Sequence, residues 1–194
     1  MRKISVIGLN ATAAMPQMLR ERAASVREID KRLGREVPAC YASDFPVIGG
    51  WGYTQEDACV FDFGDKFSEY PPKTRRSIME SESIYLQRLF FERRVYEEII
   101  YHPLSGTPDL HCLKWKKTRQ ALVHGNNNRT YDRVNFQVYG FLKDDLDFLK
   151  ADYIKCMKNN DFAGMEKNQK MADERIVIYD SVCWFDISCY WNIE

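Results

Sequence analysis

Between Ser77 and Tyr101 large apolar residues recur at helical spacing, and no other segment limits the fold as much. Tyr85, Leu89, Tyr96 and Ile100 fall on one stripe, which Leu86, Phe90, Phe91, Val95 and Ile99 widen. A helical face that broad has to be covered, so the spacing predicts a core helix lying across a sheet. Ser77 with Glu80 fits a capping box and marks the expected start. Pro71-Pro72 and the charges around them make residues 64–76 an exposed connection.

Material for a sheet lies on both sides of that helix. Lys3 to Leu9, Val37 to Tyr41 and Ala58 to Phe63 read as short strands, with a helix from about Ala13 to Leu33 between the first two. Tyr131 to Tyr139 alternates cleanly, Val134, Phe136 and Val138 against Asn135 and Gln137. Ile176 to Trp191 is apolar on both faces, as a central strand is. Asp144 to Met157 and Asp161 to about Ala172 read as helices; Leu146, Leu149, Tyr153 and Met157 stand in helical register along the first. Leu110 to Val123 stays open. Cys112, Trp115 and Leu122 fit a helix, and a strand in the first half is the alternative. Strands and helices interleave irregularly, which predicts α+β: one domain over residues 1–194, a mixed or mainly antiparallel sheet of about five strands, and about five helices.

Charge narrows the partners. Lys plus Arg and Asp plus Glu number 28 each, so there is no global field to draw the chain to nucleic acid or anionic lipid. No stretch approaches the ~18 apolar residues of a membrane span. The apolar run after Met1-Arg2-Lys3 is interrupted by Ser5, Gly8 and Asn10, unlike a signal peptide. Six cysteines, without C-x-x-C spacing and mostly beside apolar neighbours, read as small buried hydrophobes in a reducing cytoplasm. Eleven Phe, 11 Tyr and 4 Trp suit a ring-built core, and also suit interface hot spots.

The most distinctive motif is Gly49-Gly50-Trp51-Gly52-Tyr53, bordered by Asp44, Glu56 and Asp57. Glycines at this density let the backbone take positive φ and expose successive N–H groups to an anion. The loop leads into an apolar strand rather than a helix N-terminus, which disfavours a phosphate cradle. Three readings remain: a tight hairpin with Trp51 packed down as a lid, a contact surface presenting Trp51 to a partner, and a loop that holds a small ligand.

No catalytic, metal or cofactor signature accompanies it. Asp62-Phe63-Gly64 lacks every other kinase element, and His111-Cys112 are adjacent rather than spaced for zinc. Asp144, Asp145 and Asp147 suit a helix N-terminus better than a metal. The leading expectation is a non-catalytic cytoplasmic protein that binds another protein through Asp44, Gly49, Gly50, Trp51, Gly52, Tyr53, Glu56 and Asp57, with self-association left open. By class analogy that profile is one of a bacterial accessory or toxin-neutralising protein. A small enzyme using Asp44, Glu56, His111 or His124 is the alternative. Nucleic-acid binding through the basic run Lys114–Arg119 is a third.

Overall fold

The structure is a computed structural model that describes residues 1–5, 47–100, 108–126 and 128–193. The helix expected at 13–33, the strand at 37–41, residues 6–9 of the first strand and Asp44 lie outside the described residues. In chain order the elements are β1 (Arg2–Lys3), β2 (Cys59–Val60), α1 (Pro72–Ile100), β3 (Leu110–His124), β4 (Thr130–Leu142), α2 (Lys143–Lys158), α3 (Phe162–Arg175), β5 (Val177–Asp186) and α4 (Ser188–Trp191).

The five strands form one mixed sheet in the order β1-β5-β4-β3, with β2 also paired to β5. β1 and β2 run parallel to β5. β4 runs antiparallel to it: Ile187 N–H reaches Thr130 O, while Arg133 lies over Trp184 and Gln137 reaches Asp180 on the same register. The chain is therefore an α+β fold, and β5 is central, as its two-faced apolar sequence requires. By contact density it divides into two compact units, residues 1–8, 98–118 and 135–181, and residues 9–97, 119–134 and 182–194. β3, β4 and β5 each contribute residues to both.

α1 begins five residues before the expected cap. Pro72 is its first residue, where a missing N–H costs nothing because that donor would be unpaired anyway. Ser77 is an exposed interior residue, not a cap. Farther along, the helix is closed in on every side: Phe90, Phe91, Arg93, Arg94, Val95, Glu97 and Glu98 are all buried. Phe90 meets Phe185 of β5 edge-on at 6.0 Å, and Phe61 stacks on Phe185 at 5.8 Å. Trp51 closes the cluster 6.1 Å from Phe90. Rings arranged this way add about 0.5–1.5 kcal/mol per pair to their burial.

β3 settles the ambiguous segment as strand throughout, and its irregularity explains the ambiguity. Cys112 has φ of +52°, so Leu110 and Leu113, three apart, both approach Gly140 of β4. Trp115 packs on Phe136 and Gln120 bonds Asp132, yet Phe136 and Asp132 point to the same face of β4. An odd offset on one strand against an even offset on the other requires a bulge between Trp115 and Gln120. Two such breaks turn a period of two into spacings that mimic a helix.

α2 and α3 form a helical hairpin. Asp144 and Asp145 stand in the first turn of α2 and Lys155 and Lys158 in its last, matching the helix dipole. Asp161 caps α3 by accepting the Gly164 N–H at 2.9 Å. Asn168 ties the pair, donating to Leu149 O and Asp152 Oδ2 at 3.0 Å each. The buried residues of α2 are Asp145, Leu149 and Cys156, so of the four apolar residues in register only Leu149 is buried. Asp145 is buried and accepts from Arg2 and Arg175, whose side chains reach it from the surface.

Candidate functional site

The glycine motif is a β-hairpin arm. Ile48 N–H bonds Val60 O and Gly50 N–H bonds Ala58 O, both at 3.1 Å, and Gly52 N–H bonds Asp57 O at 2.7 Å. Its tip is fastened to the central strand by Trp184 N–H donating to Gly52 O at 2.8 Å. Each glycine answers a local crowding. Gly52 has φ of +75°, and a Cβ there would lie 2.7 Å from Trp184 O. At Gly49 a Cβ would lie 2.3 Å from Ala58 O. At Gly50 it would overlap the Asp57 carboxylate.

Trp51 is sealed, with 0% of its surface exposed, and its indole N–H finds no partner among the described residues. The expectation that this ring faces a partner is overturned. What pulls it in is Arg94, wholly buried on α1, which donates to Trp51 O at 2.9 Å and to Val182 O at 2.6 Å. The same guanidinium lies 4.4 Å from the centre of the Tyr53 ring, so the second aromatic of the motif is also engaged.

Asp57 answers the question of an anion cradle. Burial raises its carboxyl above the ordinary range, while the N–H groups of Tyr53, Trp51 and Gly52 and the charge of Arg94 pull it back down. The backbone donors of the turn thus already hold an anion, supplied by the chain itself. Outward from the hairpin remain Ile48, 64% exposed, and Glu56.

Beside the arm runs an open trough of about 790 Å³, lined by Gly49, Gly50, Glu56, Asp57, Arg129, Asp186, Ser188 and Cys189 among others. Its polar wall is the cluster of Asp186, Ser188 and Arg129. Asp186 accepts from Ser188 N–H and Oγ–H and pairs with Arg129 at 2.6 Å, fixing the start of α4. Because the Ser188 proton is given to a carboxylate already paired with arginine, nothing there withdraws it to make a nucleophile. The Cys189 thiol is pushed up to about 11, by partial burial first and the Asp186 charge second, which is the wrong direction for a reactive thiolate.

The remaining sequence candidates do not converge. His111 lies 3.5 Å from Asp109, and His124 Nδ1 lies 3.4 Å from Thr130 Oγ1. Neither contacts the other or Glu56 among the described residues. Cys59, Cys156 and Cys183 are buried as expected of small hydrophobes, but Cys112 and Cys189 are exposed. Among the described residues no group of three or more His, Cys, Asp or Glu is placed to hold a metal, and no helix is long and apolar enough to cross a membrane.

One surface went unnoticed in the sequence. On α2, Tyr153, Ile154 and Met157 are 44%, 51% and 53% exposed, and Phe162, opening α3, is 74% exposed. The first three fall within about a 100° wedge of the helix, since residues three and four apart share a face. Their helical spacing was visible, but not their exposure. Comparison of the chain with family models, curated proteins and solved structures finds no match.

Proposed function

We propose that this chain is a binding protein rather than an enzyme, and that it seats the solvent face of the α2–α3 hairpin in an apolar groove of another protein. The carrying observation is Tyr153, Ile154 and Met157, three large apolar side chains left in water on one face of α2, with Phe162 also exposed at the start of α3, on a helical hairpin braced by Asn168. Single exposed apolar residues need no explanation, but a contiguous group marks an interaction site. Ile154 and Met157 are three apart and Tyr153 and Met157 four apart, the spacings by which a helix presents anchors to a groove-type partner, and methionine adapts to irregular pockets. Charged Lys150 and Lys158 flank the patch and suit a polar rim. The five cysteines among the described residues are free thiols, which fits a reducing cytoplasm.

The test compares wild type with the double variant Ile154→Asp/Met157→Asp in affinity capture from native lysate, followed by a binding titration with the purified captured protein. The variant should lose the specific partner, with affinity down at least tenfold, while its thermal unfolding stays within a few degrees of wild type. Equal affinity of both forms for that partner would contradict the proposal.

A further inference from the structure

From Leu110 to Tyr131 the chain carries Lys114, Lys116, Lys117, Arg119 and Arg129 without one Asp or Glu, in a protein whose formal net charge is zero. That run folds into β3, the last strand in the sheet order, and Lys114, Lys116, Lys117 and Thr118 are all exposed. Lys114 and Lys116, two apart on a strand, point to the same face. Lys116 Nζ lies 5.4 Å from the centre of the half-buried Tyr139 ring, which places that ring on this face as well. Tyr139 O–H donates to Gln137 Oε1, and Gln137 donates in turn to Asp180 Oδ1 at 2.8 Å. Asp180 is held below the usual carboxylate range by Lys3, 2.7 Å away, and by Gln137, so the acid on this face is already neutralised.

We infer that the outer face of β3 and β4 around Lys114, Lys116, Asn135, Gln137 and Tyr139 binds single-stranded nucleic acid, a function independent of the protein-binding face on α2. The charges fit a phosphate backbone, because neutralising phosphates releases counterions and needs no global positive charge. The ring and an amide separate this occupant from other polyanions. A half-buried tyrosine beside lysines offers a stacking platform, and the Asn135 amide can meet base edges. An acidic peptide would use the lysines and leave the ring idle. A duplex keeps its bases stacked away from such a platform.

The test is fluorescence anisotropy with a labelled oligo(dT) and with a duplex of equal length, over a salt series, on the full chain. Wild type should bind oligo(dT) more tightly than the duplex. Lys114→Gln/Lys116→Gln should weaken oligo(dT) binding at least tenfold at low salt and lower the slope of log K against log[salt] by about 1.4, two single-strand contacts at about 0.7 each. Tyr139→Leu should weaken binding several-fold with that slope unchanged. Circular dichroism should match wild type for both variants. No binding by wild type, equal affinity for the duplex, or binding that neither variant weakens would overturn the inference.

Discussion

A loop can cradle a ligand's anion only if its N–H groups are free when the ligand arrives. In this hairpin the Asp57 carboxylate already faces the N–H groups of Trp51, Gly52 and Tyr53, and Gly50 leaves the room for it. Because burial holds that carboxyl above its ordinary range, the folded state binds its proton more readily than the unfolded chain does. Its ionised form therefore costs stability above the unfolded pKa near 4, and the cost disappears below it. Asp57→Asn should be at least as stable as wild type at pH 7 in urea unfolding, and the difference should shrink below about pH 4. Asp57→Ala, which empties the cradle, should instead cost about 1–3 kcal/mol. Trp51→Ala should cost about 3–5 kcal/mol, the value for a large ring removed from a packed core. A loss under 1 kcal/mol would mean that the indole is not sealed.

At the scale of elements, what could be read from the residues depended on whether local pattern and tertiary partners agreed. β4 alternates because nothing interrupts it, and the apolar run of β5 matches its central place. β3 was illegible because two backbone irregularities, one at Cys112, break its period. The inward turn of Trp51 was illegible for another reason: its cause, Arg94, lies 43 residues away on a helix whose buried arginines look like surface residues. On α2, Leu149 is buried while Tyr153 and Met157 are exposed. That difference is measurable. Leu149→Ala should cost about 2–5 kcal/mol and Met157→Ala no more than about 0.5 kcal/mol, by chemical denaturation. Similar losses for both would place Met157 in the core and remove the proposed docking face.

For the whole molecule, the distribution of strands carries the expectation. The two compact units are not consecutive stretches of chain, since β3, β4 and β5 pass from one to the other. A strand shared in this way cannot melt in one unit and keep its pairing intact in the next, so unfolding should be a single cooperative transition. Far-UV circular dichroism and tryptophan fluorescence should give coincident urea curves; two separated midpoints would show independent units. The proposed docking patch lies on α2 and α3, and hydroxyl-radical footprinting of the chain with its captured partner tests it most directly. Tyr153, Met157 and Phe162 should be protected several-fold in the complex, with Tyr85, equally exposed on α1, unchanged. Equal modification of those three residues in the free and bound chain would contradict it.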